Sequence, residues 1–285
     1  MSFAAEYLAQ LDAFAARSAL PRVRALHLPP PQPDGDGGDN KGEFCALELD
    51  DGSLGLSYVL QDDTLARLRG DADGLGLSGA DALAVARRYA SADSCAKTIG
   101  FAAANALSRS LFDRAGFRPD ESRDSIGRMN PQAGEHIGMI GLFRPLLGRI
   151  LQSGARLTVV ELKAELAGDG EGYRVTLDAA ELAACSKVVS TSALLLNDTL
   201  DRMLDHCRSA RWFAMVGPSA GCLPDALFAR GVTLLGGSWV KDRVGFIDAL
   251  KRGEPRSGFA GKFALTVDGY PGFDELLARA CADRK

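Results

Sequence analysis

The chain has 285 residues, of which 46% are hydrophobic and 25% are charged, and its formal net charge is −4. This composition is typical of a soluble globular protein, and the length allows one large domain or two small ones. The acidic balance argues against nucleic acid as the main partner, because nucleic-acid-binding surfaces are strongly basic.

The N-terminal segment carries Glu6 and Asp12 and lacks the basic and apolar regions of a signal peptide. No apolar run approaches the roughly 20 residues that a membrane-spanning helix needs. The six cysteines form no Cys-x-x-Cys pair, so neither a zinc knuckle nor a thioredoxin-type motif is predicted. We therefore expect a cytoplasmic protein with free thiols and without a membrane partner.

Apolar residues recur at helical spacing at the start of the chain and predict an amphipathic helix over 2–19. A short strand is predicted over 22–28, and the Pro-, Gly- and Asp-rich segment 29–42 is predicted to be a mobile loop. Beyond this loop, "EFCALELD" and "SLGLSYVL" flank Asp51 and Gly52 and predict a half-buried antiparallel hairpin.

Two helices are predicted next, one over 79–90 with Ser78 as its cap and one over 93–112 with Asp93 as its cap. Small residues in the second helix allow close packing against a neighbouring element. Asn105 is the one polar residue of that stretch, and a buried amide needs partners. It is therefore either a structural hydrogen-bonding residue or a ligand contact.

The mostly polar segment 114–135 has no periodicity and is predicted to link two domains, at 1–130 and 131–285. After it, short apolar strands alternate with helices, which predicts an α/β domain with a mostly parallel sheet. Ligands bind beyond the carboxyl ends of the strands in such sheets. The predicted strands are 136–141, 157–162, 187–191, 212–216 and 232–235, and the predicted helices are 145–153, 178–184, 197–208, 223–229 and 243–252.

The turn after the first of these strands has the pattern G-x-x-G-x-x-R-P, from Gly138 through Gly141 to Arg144 and Pro145. Proline suits the first position of a helix, and the helix N-terminus with Arg144 offers donors to an anion. The pattern differs from G-x-G-x-x-G, and the bulky Phe143 stands where a dinucleotide needs free backbone approach. We therefore expect an anion-binding frame that is not a standard dinucleotide site.

Three later strand ends carry polar groups. Glu161 ends the second strand 20 residues after Gly141, where an acid either binds a ribose or is a solvated residue paired with Lys163. The third strand is followed by hydroxyl and amide groups that suit a small polar ligand or ordinary helix capping. After the fourth strand, Ser219 is predicted to expose its hydroxyl in a rigid turn, and Cys222 is a soft metal ligand or an unreactive thiol.

The stretches "IGMIGLFRPLL", "VVEL", "NDTLDRML" and "MVGPSAGCLPDALFARGVTLLGGSWVKD" resemble the putative heavy-metal chelation family. "GLSYVL" and "GFAAANALS" resemble the first domain of that family. The resemblance implies a small α+β enolase-N-terminal-like domain followed by a Rossmann-like, mostly parallel α/β domain, with the site in the cleft between them. This chain departs from the family pattern at Leu162, Leu194, Ala220 and Gly221.

We therefore expect a metal-handling protein that binds a heavy metal, a metal chelate or a small anionic ligand, with Glu161 and Cys222 as metal ligands. An enzyme that uses a nucleotide or S-adenosylmethionine and a non-catalytic accessory subunit are the alternatives. The cofactor is unknown, with a transition metal ion as the candidate, and a homodimer is the candidate assembly. The candidate ligand-binding residues are Asn105, Gly138, Gly141, Phe143, Arg144, Glu161, Thr191, Ser192, Asn197, Thr199, Gly217, Pro218 and Ser219.

Overall fold

The computed structural model describes residues 1–31, 43–59, 63–71, 75–122 and 128–282. A mobile loop is predicted at 29–42, and its residues 32–42 lie outside these ranges. Within the described ranges, every helix is too short or too polar to cross a bilayer. The first helix, α1, spans Phe3–Arg17 as predicted, and its apolar residues Phe3, Tyr7, Leu11 and Phe14 are buried.

A three-stranded antiparallel sheet follows, in the order β1-β2-β3. Its strands are β1 (Val23–His27), β2 (Phe44–Leu49) and β3 (Leu54–Tyr58). The predicted hairpin is confirmed, with Gly52 in its turn at φ +89°. The prediction that it is half buried is wrong, because all six residues of β2 are buried. One face of the sheet packs in the main core, and the other packs against Phe246.

The long helix α4 (Ser94–Arg114) crosses this sheet, and helices α2 (Thr64–Gly70) and α3 (Ala82–Ala86) precede it. Asp93 caps α4 as predicted, since its carboxylate accepts from the Ala96 N–H at 2.8 Å. The small residues of α4 allow very close packing. A Cβ atom at Gly55 of β3 would lie 2.0 Å from the Ala102 carbonyl oxygen.

The predicted cap Ser78 does not begin a helix. The neighbouring Gly79 donates its N–H to the Val23 carbonyl at 2.8 Å, so this segment is tied to β1. Asp81 caps α3 instead, and its carboxylate accepts from the Ala84 N–H at 2.7 Å. The helix then tightens into a 3₁₀ turn over Arg87–Ala90.

Nine strands of the described residues form a mixed sheet, in the order β4-β12-β11-β10-β9-β5-β6-β8-β7. The six strands from β11 to β8 pair in parallel, which confirms the predicted mostly parallel α/β sheet. The strands are β4 (Asp120–Glu121), β5 (His136–Ile140), β6 (Arg156–Val160), β7 (Gly168–Gly170), β8 (Tyr173–Thr176), β9 (Lys187–Thr191), β10 (Trp212–Val216), β11 (Leu234–Val240) and β12 (Ala260–Thr266).

In the described part of the chain, five helices accompany this sheet: α5 (Arg144–Leu151), α6 (Leu200–His206), α7 (Asp225–Phe228), α8 (Arg243–Arg252) and α9 (Phe273–Cys281). The helix predicted over 178–184 is a 3₁₀ turn at Ala179–Ala184. The strand predicted over 232–235 begins at Leu234 and continues to Val240, because it pairs with the unpredicted antiparallel strand β12.

The predicted linker contains structure of its own. Strand β4 lies within 114–135 and pairs with β12, where Glu121 faces Phe263. The core is also continuous across the predicted boundary, since Phe3 and Leu276 belong to one buried cluster. The division of the chain at residue 130 therefore stays a prediction.

Candidate functional site at the carboxyl edge of the parallel sheet

The chain order of the parallel strands reverses between β5 and β9. From β5 the chain proceeds outward through β6 to β8, and it then returns to β9 and proceeds the other way through β10 to β11. Such a reversal opens a crevice beyond the carboxyl ends of the two central strands, and ligands of α/β proteins bind there. The turns after Ile140 and Thr191 border this crevice.

The turn after β5 is held by backbone geometry that requires glycine. Gly141 has φ +84°, and its N–H donates to the Val160 carbonyl at 2.9 Å. A Cβ atom here would lie 3.2 Å from Cγ2 of Thr191, so the ends of β5 and β9 are in contact. The part-exposed Phe143 and the exposed Arg144 follow, and α5 begins there without a side-chain cap.

The carboxylate of Glu161 is bound to this turn. It accepts from the Leu142 N–H at 2.5 Å and from the Leu162 N–H at 3.2 Å. Burial and then the charge of Glu161 raise the pKa of the phenol of Tyr58 in β3. The sequence offered a ribose-binding acid or a solvated acid paired with Lys163 as the alternatives for Glu161. Neither includes this contact, in which the carboxylate orients the turn. A carboxylate has about four lone-pair positions, so Glu161 can still accept from a ligand.

Asn105 is buried and makes three hydrogen bonds. Its amide donates to the Leu56 carbonyl at 2.8 Å and to the Ser219 carbonyl at 3.0 Å. Its oxygen accepts from the Tyr7 hydroxyl at 3.0 Å. The amide thus joins β3 to the segment after β10, and these bonds occupy its donors.

Helix α4 lies across the ends of three parallel strands. Lys97 pairs with Asp198 in the segment after β9, Asn105 bonds Ser219 after β10, and Arg109 donates to the Val240 carbonyl at the end of β11 at 3.1 Å. Residues 97, 105 and 109 share one helical face, because they are separated by multiples of four. The helix therefore covers the same sheet edge that carries the crevice.

The pair of Lys97 and Asp198 joins α4 to the segment that follows β9. The Lys97 side chain is only 9% exposed, whereas that of Asp198 is 82% exposed. Asp198 also has φ +56°, a left-handed conformation that is uncommon outside glycine. Asn197 and Thr199 flank it and bond to each other, with the Thr199 hydroxyl 2.6 Å from the Asn197 oxygen.

The remaining predicted residues divide between the crevice and the core. Thr191 accepts from the Ala193 N–H at 3.2 Å, and Pro218 is part exposed. Ser192 is buried against Gly217, where a Cβ atom would lie 2.2 Å from the serine oxygen. The prediction of an exposed Ser219 hydroxyl is wrong, because Ser219 is 1% exposed beneath α4.

Gly138 and Cys222 lie within the core. A Cβ atom at Gly138 would be 2.8 Å from Leu182, so this glycine serves packing inside β5. Cys222 is fully buried, and burial raises the pKa of its thiol to about 12. Metal binding requires the thiolate. Within the described residues, no group of three or more His, Cys, Asp and Glu side chains is placed to hold a metal ion.

Lys97 and Tyr58 are the residues near the crevice that the sequence analysis missed. Lys97 lies among small and apolar residues in α4. A lysine in such a sequence context indicates a buried charge that needs a partner. Tyr58 gave no comparable signal, since an aromatic residue in a strand is ordinary.

The sequence matches two family profiles, and both are described as putative heavy-metal chelation. DUF364 matches residues 124–267, and DUF4213 matches residues 42–108. An uncharacterized protein of Methanocaldococcus jannaschii is 30% identical over 150 residues, which cover 51% of this chain and 55% of that relative. The chain thus spans about half the length of this curated relative.

Two crystal structures of DUF364 proteins of unknown function share the fold. The protein from Desulfitobacterium hafniense has a TM-score of 0.68 at 20% identity, with 93% of this chain and 100% of that chain covered. The protein from Pyrococcus horikoshii has a TM-score of 0.63 at 19% identity, with 92% and 99% covered.

Proposed function

We propose that this chain, which belongs to the family described as putative heavy-metal chelation, binds a small anionic metal chelate in the crevice between β5 and β9. The metal is the cargo, and the ligand supplies most of its donors. The observation that carries the proposal is the reversal of strand order at the Gly141 and Thr191 turns. The proposal includes the cytoplasmic location that the sequence predicts.

The groups around the crevice support an anionic ligand. Lys97 brings a nearly buried ammonium to the rim, and its partner Asp198 is exposed and exchangeable. The N-terminus of α5 adds backbone N–H groups that carry partial positive charge. A carboxylate of the ligand can therefore replace Asp198 beside Lys97 and accept from the α5 turn.

The donor set does not fit a bare heavy-metal ion. Soft metals are held by several thiolate or imidazole donors. Cys222 is buried and its pKa is raised to about 12, and the described residues bring no third donor to Glu161. A metal that arrives already chelated needs one or two protein contacts, which Glu161 and Lys97 supply.

Metal retention tests this proposal. The protein is incubated with nickel, copper, zinc, cobalt or iron salts, each alone and with nitrilotriacetate, and the bound metal is measured after desalting. We expect retention near one equivalent with the anionic chelate and little with the free ions. Retention at trace level under all conditions contradicts the proposal.

Two substitutions locate the site. Lys97→Met keeps the side-chain length and removes the charge, so we expect loss of chelate retention. Asp198→Asn removes the competing carboxylate and leaves Lys97 available, so we expect tighter retention. Lys251→Met on the exposed end of α8 is the charge-matched control. Equal retention by all three variants contradicts binding at the crevice.

An enzyme that uses a nucleotide or S-adenosylmethionine is the second candidate, since the reversal point is also where α/β proteins bind nucleotides. The bulky Phe143 beside Gly141 weighs against it, because a dinucleotide needs free backbone approach at this turn. Stabilisation by NAD, ATP or S-adenosylmethionine in a thermal-shift assay, without chelate binding, favours the enzyme. A stable protein partner without any small ligand favours an accessory subunit.

A further inference from the structure

A second concave surface lies at the carboxyl end of β11, away from the crevice. This cleft has a volume of about 430 Å³ and is bordered by β1, the β2–β3 turn, α4 and the start of α8. It lies three strand spacings from β5, or about 14 Å along the sheet edge. Four cationic and two acidic side chains line it, namely Arg24, Arg109, Lys241, Arg243, Asp50 and Asp51.

Carboxylates behind the cleft orient its guanidinium groups. Glu48 is buried, and its oxygen accepts from Nη1 of Arg243 at 2.5 Å and lies 3.5 Å from Nε of Arg24. Asp113 accepts from Nε of Arg109 at 2.8 Å. Arg109 also donates from Nη1 to the Val240 carbonyl at 3.1 Å, and Arg24 donates from Nη2 to the Asp50 carbonyl at 2.8 Å. Each guanidinium has five N–H donors, so further donors remain for a ligand.

The two acids that line the cleft are engaged by protein donors. Asp51 accepts from the Ser53 N–H at 2.9 Å and from the Ser110 hydroxyl at 2.6 Å. Asp50 accepts from the Arg22 N–H at 3.1 Å. Both acids are exposed, and the four cationic side chains of the cleft outnumber them.

We propose that this cleft binds a small polyanion, a molecule that carries two or more neighbouring phosphate or carboxylate groups. Planar guanidinium groups bind such oxyanions through paired hydrogen bonds, and arginines from β1, α4 and α8 converge here. The volume lies within the range of about 300 to 1,000 Å³ that small-molecule sites occupy. The site is independent of the proposed crevice, and it binds its ligand without a metal.

Trp239 provides a built-in reporter for this cleft. The guanidinium carbon of Arg109 lies 3.8 Å from the centroid of the Trp239 ring. An anion that bonds Arg109 changes the charge above the indole and therefore its fluorescence. The other tryptophan, Trp212, has a buried indole N–H without a partner among the described residues, so Trp212→Phe removes its signal without breaking a hydrogen bond.

The experiment titrates the Trp212→Phe protein with pyrophosphate and, separately, with citrate at constant ionic strength. We expect a saturable change in Trp239 fluorescence. Arg24→Gln, at a half-exposed residue, is expected to weaken binding about ten-fold or more, since a hydrogen bond between charged groups is lost. Arg252→Gln removes the same charge from the far end of α8 and is expected to leave binding unchanged.

The two anions distinguish the ligand's chemistry. Saturation by pyrophosphate alone assigns the cleft to phosphate-bearing molecules, saturation by citrate alone assigns it to polycarboxylates, and saturation by both supports a general polyanion site. A linear response to both anions at millimolar concentration overturns the proposal. Equal weakening by Arg24→Gln and Arg252→Gln also overturns it, because the effect is then one of overall charge. Circular dichroism verifies that each variant is folded.

Discussion

At the scale of single residues, Asn105 shows how a polar group that suggests a binding site can serve the architecture. Its hydrogen bonds join Tyr7 of α1, Leu56 of β3 and Ser219 beyond β10. The sequence predicted that this amide needs partners, and it does. The identity of the partners was not predictable, because they come from segments about 50 to 115 residues away in the chain.

Truncation of this amide tests its structural role. In Asn105→Ala, two buried carbonyl groups lose their donor, and we expect the free energy of unfolding to fall by about 3 kcal/mol. Urea denaturation measures this change. Asn197→Ala at the part-exposed crevice rim is the control, and we expect a change below about 1 kcal/mol. If the free energy of unfolding falls by a similar amount in both variants, the hydrogen bonds of Asn105 are not important for stability.

His27 makes stability depend on pH. Burial lowers the pKa of its imidazole below the ordinary value of 6.5, although the Glu48 carboxylate accepts from Nε2 at 2.8 Å and opposes this shift. The unfolded chain then binds a proton near pH 6.5 that the folded protein does not yet bind. Stability is therefore complete above this pH and decreases as the pH falls toward the lowered pKa.

Substitutions distinguish the contribution of His27 to the pH dependence of stability from that of the other histidines. His136 also has a pKa lowered first by burial and then by Arg156, so it contributes with the same sign. We expect His27→Gln to reduce, but not abolish, the loss of stability below pH 6.5, and a double variant with His136→Gln to reduce it further. Urea denaturation at a series of pH values measures this. An unchanged pH dependence in the double variant contradicts the assignment.

At the scale of elements, the close contact between β3 and α4 depends on Gly55. A Cβ atom there would overlap the Ala102 carbonyl oxygen at 2.0 Å, and neither backbone can yield easily. We expect Gly55→Ala to destabilise the protein by about 3 kcal/mol or to prevent folding. Thermal or urea denaturation gives the magnitude.

Gly148 provides the matched control for this substitution. It lies in α5 with open space around its Cα, and alanine is a better helix former by about 1 kcal/mol. We expect Gly148→Ala to leave stability unchanged or to raise it. Destabilisation by both substitutions contradicts the steric argument for Gly55.

Elements with strong local signals were predictable, and those made by long-range pairing were not. The periodicity of α1 and the Asp93 cap of α4 are local properties, and the structure has both. The two residues of β4 have no pattern of their own, and only their pairing with β12 makes them a strand. For the same reason, Gly79 was assigned to a helix, although its N–H is bound to β1.

At the scale of the whole molecule, the sequence predicts where the candidate site lies. It predicts only some of the residues that form the site. Alternating strands and helices imply a reversal point, and the Gly141 turn borders it. The roles of Glu161 and Lys97 depend on contacts between distant segments. The ligand itself stays a prediction, as does the division into two domains.

The pairing of β4 with β12 has a consequence for how the protein is made. Asp120 lies beside Ala264, so a ribosome must add the intervening chain before the edge strand meets its partner. At a synthesis rate of about 5 to 20 residues per second, that interval is on the order of 10 s. For part of this interval, until Val240 has been added, α4 lacks some of the strand ends that it covers. The edge strand β4 therefore joins the sheet only after β12 has been synthesised.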